Sequence, residues 1–562
     1  MLLQALKRAR PLRYPSPCTR LYSIATPPNT DLFTYTSGRY IFNENIRMRE
    51  RYVKFNVRAL LDETERHVGQ SHGRATHIAK LAEGGFNRVF LITMDDGFEV
   101  VAKIPYRIGG PKKYATASEA ATMEYLYSKG IPVPKLFGYS HTENSPVGVE
   151  YILMEKAPGV GLDTKWFTMT KRERHRLASS FVEIERRYFD LPFRSIGSIY
   201  FKEDVPSHLQ ATMCTQTAEE TNDSKNFCIG PTADYMFWHG RRVSLDLHRG
   251  PWTYPKEYLE SIARKEIEWT RHYGKPVELD FPHNGIFPGM KSPDDYLHLL
   301  NKYLLFAPHL LPKDPDNPLN RPTLRHPDLN PNNIFISPET GEVSCIIDWQ
   351  HATVEPRLLV AGYPRAFECP DPKQSLQLQE PSLPLDFETL SGEQKDKAEE
   401  LYRRRLLFYY YHIFNGHLNK PHFQALRDPI LLPRQHLVDR AGRQWSGNLM
   451  TLKGALKRMI EYWPHLPDTK GLPCPVHFTE AELDGFAEQE QTWFDLNKVV
   501  NHWRDQVGGV NEDGWVSNEK YAEAVQNVAE LKESLIAIAE GDEEDIRYLE
   551  TGWLFRDCEE KS

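Results

Sequence analysis

Apolar and polar residues alternate along two neighbouring runs near the start of the chain, Ile78–Thr93 and Phe98–Ile104. Alternation of this kind marks half-buried strands, and Asp95-Asp96-Gly97 between the runs predicts a hairpin. The period then lengthens. Ala120, Met123 and Leu126, with Tyr127, form a core-facing stripe that predicts a helix over 118–129, closed by Gly130. Leu136–Tyr139 and Val149–Met154 read as two more strands. Glu155-Lys-Ala-Pro-Gly159 then reads as the crossing to a second region that restarts at Leu162.

Beyond that crossing, helical spacing dominates. Helices are expected over 172–189, with Leu177, Phe181 and Ile184 as the stripe, and over 255–273 and 293–306. Residues 196–252 lack that period and are rich in Gly, Trp and Arg. Ser391 and Gln394 have the spacing of a capping box opening a helix through Phe414, and Thr479 and Glu482 form a second. The stripe Leu483, Phe486, Trp493, Leu496, Val500, Trp503 marks a packed helix, and 518–540 reads as a last amphipathic one, followed by an acidic stretch. A helical lead-in is expected over 55–68. Strands first and helices afterwards predict an α+β fold of two lobes, a small β-rich one and a large mostly helical one.

The stretch Leu324–Trp349 interrupts the helices with a hairpin. Asn333–Ser337 and Val343–Ile347 read as its strands and Pro338-Glu-Thr-Gly341 as its turn, so Asp328, Asn333 and Asp348 converge at one end. His326, Asp328 and Asn333 have the spacing of a phosphotransferase catalytic loop. Moving a γ-phosphoryl group to a hydroxyl needs a carboxylate to take the hydroxyl proton, and oxygen ligands for Mg²⁺. Asp328 fits the first role, and Asn333 with Asp348 the second. Gly84-Gly85 offers a bare backbone that can approach phosphates, and Lys103, set in an apolar strand after that turn, stands where a phosphate-pairing lysine belongs. Glu119 or Glu124 can orient it by ion pairing.

Composition narrows the classes. Forty per cent hydrophobic and 26% charged residues are ordinary for a globular protein. A formal charge of −8 argues against a nucleic-acid binder. No apolar run approaches the ~20 residues that span a bilayer. The seven cysteines are scattered without a CxxC pair, which suggests neither a metal site nor a disulfide framework. Arg241, Arg242, His248 and Arg249 read as surface or loop ion pairs, with contact to an anionic substrate as the alternative, and Arg403-Arg404-Arg405 reads as a solvated face. Residues 1–30 hold Lys7, Arg8, Arg10, Arg13 and Arg20 and no acidic residue, the composition of a mitochondrial presequence. Cleavage is expected between Tyr22 and Ser23.

The set GGFN, VVAK103, SE119AA, GIPVPKLFG, ILMEKAPG, RHPDLNPNN333 and IIDW349 resembles the aminoglycoside phosphotransferase (phosphotransferase enzyme) family, of protein-kinase-like fold, over about residues 75–365. The leader, GSIYF and RRVSLDLHRGPW resemble more closely the fungal altered-inheritance-of-mitochondria branch. The resemblance implies Lys103 on the ATP phosphates with Gly84 and Gly85, Glu119 orienting it, Asp328 as base, and Asn333 and Asp348 on Mg²⁺. Pro327 and Trp349-Gln350 depart from the common pattern of that fold. The implied organisation is a presequence (1–22), a lead-in (23–75), a nucleotide-binding lobe (76–156), and a catalytic lobe (157–562) carrying the loop 324–349 and a helical extension (391–545). The composition of the leader implies a location in the mitochondrion, in the matrix. The acceptor is expected to be a small molecule, because no activation segment ending in Ala-Pro-Glu follows Asp348. A non-catalytic nucleotide-binding or scaffold role is the alternative.

Overall fold

The computed structural model describes residues 31–214, 223–371, 375 and 377–557, so the expected presequence lies outside them. A short strand β1 (Arg39–Tyr40) and helices α1 (Glu44–Arg51) and α2 (Val57–His72) come first. The alternating runs become β2 (Ala75–Glu83), β3 (Asn87–Met94) and β4 (Glu99–Pro105); α3 (Tyr114–Ser128), β5 (Leu136–Ser140) and β6 (Tyr151–Glu155) follow. The five strands form one antiparallel sheet in the order β2-β3-β4-β6-β5. Side chains alternate between faces along a strand. Val100, Ala102 and Ile104 therefore pack with Phe55, Leu60 and Phe90 under the lead-in, while Val101 packs with Ala120, Met123 and Leu126 of α3. Lys103, two residues after Val101, shares the α3 face.

Helix α3 begins four residues earlier than the stripe indicated, and Tyr127 is exposed whereas Tyr125 is buried. The helix is enclosed on nearly every side, so a single apolar stripe does not mark which aromatic ring faces the core.

The larger lobe opens with β7 (Val160–Gly161) and α4 (Lys171–Phe189), which starts from a Thr170/Glu173 capping box. Next come β8 (Ser198–Phe201), β9 (Phe227–Gly230), α5 (Pro255–Tyr273), α6 (His283–Ile286) and α7 (Pro293–Phe306). The hairpin is formed by β11 (Ile334–Ile336) and β12 (Val343–Ile346), with β7 on its other edge, and is flanked by β10 (Pro322–Arg325) paired with β13 (Thr353–Pro356). Helices complete the lobe: α8 (Gly392–Leu418), α9 (Leu431–Ala441), α10 (Met450–Tyr462) and α11 (Phe486–Gln506). After strand β14 (Trp515–Val516) come α12 (Tyr521–Ile538) and α13 (Glu543–Gly552).

Several expectations are corrected here. The Thr479/Glu482 box caps only a single turn, because Gly485 adopts the left-handed region and the helix restarts at Phe486. The acidic stretch after Gly541 starts a further helix, α13, which buries Tyr548 and Leu549, so the extension continues past 545. Arg403 and Arg405 are not solvated: they are half-buried and pair with Glu399, Glu400 and Asp371. Arg242 is fully buried and bidentate to Glu266, beside buried Lys265, so it is a core group and not a substrate contact.

The helical extension docks on the lobe around Phe281 and His283. Phe281 stacks on Trp503 at 5.7 Å, and the His283 ring lies 4.3 Å from that of Trp493. Burial holds the His283 imidazole down at about 4, against its ordinary 6.5, and the nearby Asp280 charge only partly offsets this. Between those values the unfolded chain binds the proton more readily than the folded one. Stability must therefore fall as pH drops from 6.5 toward 4, by up to about 3 kcal/mol. His283→Gln is expected to flatten this part of the profile in urea unfolding at pH 7.5 and 4.5. Parallel profiles for the two proteins would count against this assignment.

Candidate active site

Three of the residues singled out in the sequence, Lys103, Glu119 and Asp348, come from both lobes and meet directly. Lys103, on the central strand β4, directs Nζ to both Glu119 oxygens at 2.7 and 2.9 Å and to Asp348 Oδ1 at 2.6 Å. Glu119 on α3 is thus the partner, and Glu124 is not. Lys103 and Glu119 are 5% and 2% exposed, while the Asp348 side chain remains 41% accessible. Burial opposes the Lys103 charge, yet Asp348 and Glu119 outweigh it and hold the ammonium above its usual value. Burial also opposes ionisation of Asp348, and Lys103 outweighs it, keeping that carboxyl low. For Glu119 burial prevails, helped by the Asp348 charge, and pushes its carboxyl up.

Asp348 leaves β12 with φ 66°, in the left-handed region that Asp tolerates better than most residues. Three bonds fix its surroundings: Ile347 N donates to Asn333 O at 3.0 Å, His326 Nε2 to Ile347 O at 2.9 Å, and Trp349 Nε1 to Ile346 O at 3.1 Å. His326 faces a carbonyl with Nε2 and accepts the Asp328 amide with Nδ1 at 3.1 Å, so the proton sits on Nε2 and the ring is neutral. Burial, which lowers its pKa, favours the same form.

Asp328 is exposed, and Asn330 Nδ2 donates to its Oδ2 at 2.7 Å. Asn333 Nδ2 donates to the Asp328 carbonyl at 2.8 Å, which leaves its Oδ1 as the end suited to a cation. The donor set, an amide oxygen and the carboxylate of Asp348, is the type Mg²⁺ takes when phosphate and water complete its shell. Two carboxylates around one ammonium also leave an excess negative charge that a divalent cation would balance.

Gly84 and Gly85 make the turn between β2 and β3, and a Cβ at Gly85 would meet nothing within 4 Å. Two contacts that the sequence did not reveal tie this turn to the Asp348 segment. Asn87 Nδ2 donates to Gln350 Oε1 at 2.6 Å, and Phe86 meets the His351 ring edge-on at 5.4 Å. The signal for them was the departure from the common pattern of the fold at Gln350. A cavity of about 280 Å³ opens beside β10 and β13, bordered by Asp234, Tyr258, Arg325, Glu355 and Gln435. Arg325 precedes Asp328 by three residues, so this wall lies within about 11 Å of Asp328 along the chain.

The five-stranded sheet, the crossing at Glu155–Gly159 and the hairpin bearing Asp348 define a two-lobed, kinase-like phosphotransferase fold. The model of the phosphotransferase enzyme family matches residues 77–359, and the chain belongs to that family. A subtelomeric hrmA-associated cluster protein of Aspergillus fumigatus is 32% identical over 86% of this chain and 97% of its own. The altered inheritance of mitochondria protein 9 of Candida albicans, named as mitochondrial, is 23% identical over 88% and 86%. Among solved structures, a streptomycin–ATP complex of an aminoglycoside phosphotransferase is 11% identical, with a TM-score of 0.35, over 72% of this chain and 97% of that one.

Removal of the ammonium would leave Glu119 and Asp348 facing each other without compensation. Lys103→Met is therefore expected to lower stability by about 3 kcal/mol or more in urea unfolding. Lys103→Arg, which keeps the charge, should cost less. Equal stability of Lys103→Met and the wild type would refute a central place for the ion triad.

Proposed function

We propose that this protein transfers the γ-phosphoryl group of ATP to a hydroxyl of a small molecule. The observation that carries the reading is the Lys103 ammonium held between Glu119 and Asp348, with Asp328 and Asn333 on the adjoining loop. In this reading Gly84 and Gly85 pass their backbone over the phosphates, and Lys103, aimed by Glu119, pairs with the phosphate oxygens. Asn333 and Asp348 would hold Mg²⁺, which would supply positive charge beside the leaving phosphate.

Asp328, held by Asn330, orients the acceptor hydroxyl and takes its proton as the new O–P bond forms. The bond from the γ-phosphorus to the bridging oxygen breaks, and ADP leaves. The cavity beside Arg325 and Glu355 gives the acceptor its approach, and its volume suits a metabolite and not a folded protein. The leader's composition and the mitochondrial names of the Candida relatives support a location in the mitochondrion, and the leader alone supports the matrix.

The test is a thermal melt of the protein lacking residues 1–22, with and without Mg²⁺-ATP. Ligand at ~100 times its dissociation constant should stabilise the wild type by roughly 2.7 kcal/mol. Asp348→Asn should abolish the rise. Asp328→Asn should keep it while ATP turnover, assayed against mitochondrial metabolites, falls by about 10²-fold or more. Binding without turnover in the wild type would favour the scaffold role, and no binding would sink the nucleotide reading. A fluorescent fusion lacking residues 1–22 should stay outside mitochondria; unimpaired import would remove the leader from the argument.

A further inference from the structure

The lead-in and the helical extension have no part in the reaction as described, yet they meet beside the glycine turn. Glu83, the residue before Gly84, has a side chain only 3% exposed. Its Oε2 accepts from Thr36 N at 2.8 Å, Thr36 Oγ1 at 2.9 Å and Ser37 Oγ at 3.0 Å. Its Oε1 accepts from Arg88 Nε at 2.8 Å. The rest of the Arg88 guanidinium donates to the carbonyls of Leu32, Phe33 and Arg51. The two residues bracketing the turn, Glu83 and Arg88, are thus both anchored to the lead-in.

The lead-in is itself held by the extension. Arg39 and Tyr40 of β1 pair with Val516 and Trp515 of β14, Trp515 Nε1 donates to Tyr35 Oη at 2.9 Å, and Asn518 Nδ2 donates to Thr36 O at 2.8 Å. The approach is close: a Cβ on Gly38 would lie 2.4 Å from Trp515 Nε1. The extension in turn is fixed to the large lobe through Arg556 with Asp280 and Asn284 with the Tyr548 carbonyl. A bare glycine turn costs entropy to order when a ligand arrives. Here the cost falls on folding, because the outer anchor at Glu83 and the inner one at Asn87 and Gln350 hold the turn from both sides.

We propose that Thr36 and Ser37, braced by Asn518 of the extension, are positioning residues of the nucleotide site that hold the glycine turn over the phosphates through Glu83. This rests on the reading of Gly84 and Gly85 as phosphate-facing. A lead-in that merely covered the sheet would act through its apolar residues, Phe33 and Tyr35. The two hydroxyl bonds of the polar anchor can be removed while those rings, and the Thr36 amide bond, stay.

The test compares wild type, the double variant Thr36→Val/Ser37→Ala and the conservative Thr36→Ser, all lacking residues 1–22. Amide hydrogen exchange over residues 84–88 without nucleotide, and Mg²⁺-ATP affinity by calorimetry, are the two measurements. In the double variant exchange should quicken about tenfold and the dissociation constant should rise about tenfold, with the protein still folded at the assay temperature although its melting temperature falls. Thr36→Ser should restore both. Unchanged exchange in the folded double variant would overturn the anchor. Quickened exchange with unchanged affinity would overturn its role in nucleotide binding. A wild type that binds no Mg²⁺-ATP would overturn the function reading instead, and with it the nucleotide part of this one, whatever the exchange shows. Should the double variant fail to fold, Asn518→Ala, changed at an exposed position, must move exchange and affinity the same way by a smaller factor, or the brace is refuted.

Discussion

The ion pair between Lys103 and Asp348 is the contact on which the site depends. It joins a strand of the small lobe to the end of a hairpin in the large one, with Glu119 behind it. Loss of the Lys103 ammonium would leave Glu119 buried without a partner, which costs about 3–5 kcal/mol, whereas the half-exposed Asp348 contributes less because water reaches it. Replacing all the charged partners of such a cluster together with apolar residues of similar size is often harmless to stability, so the fold needs the charges balanced and does not need them present. Chemistry does. One ammonium between two carboxylates leaves a residual negative charge where phosphate oxygens and a divalent cation would share the space.

Asp348 can serve this pair because its backbone is held so firmly. Residues in the left-handed region cost of order 1–3 kcal/mol and persist where their surroundings fix them. Both Asp348 and His351 lie there, at φ 66° and 65°. Between them, Trp349 is fully buried against Tyr188 and His326, and Gln350 reaches Asn87. Trp349 and Gln350, which depart from the common pattern of the fold, therefore supply an anchor in the large lobe and a bond to the glycine turn.

How much of this was legible follows from where the signals lie. Asp328, Asn333 and Asp348 stand within about twenty residues on a hairpin whose β-branched strands and turn are local features, and the structure places them around it. The strand bearing Lys103 was visible in its alternation. Helical spacing alone left Glu119 and Glu124 open, because a helix enclosed on most sides does not show which side faces the sheet; the family resemblance singled out Glu119, and it is the one bonded to Lys103. Arg242 looked like a surface group because its partner, Glu266, lies on another element, and nothing local announces a buried bidentate pair. The lead-in was legible as a helix but not in its role: Tyr35 meets Trp515 across 480 residues, and no pattern within a window reports such a contact.

That separation has a consequence for how the site is completed. Contacts distant in sequence bear the largest loop-closure cost and form late unless other structure brings their ends together. Residues 77–359 contain every group assigned to the chemistry, yet the outer support of the glycine turn comes from Thr36 and Ser37, and theirs from Trp515 and Asn518. The family match thus marks the catalytic frame, while the flanks determine how rigidly one of its loops is held. The charged centre can thus stay fixed while the stiffness of the glycine turn is set by segments outside that frame.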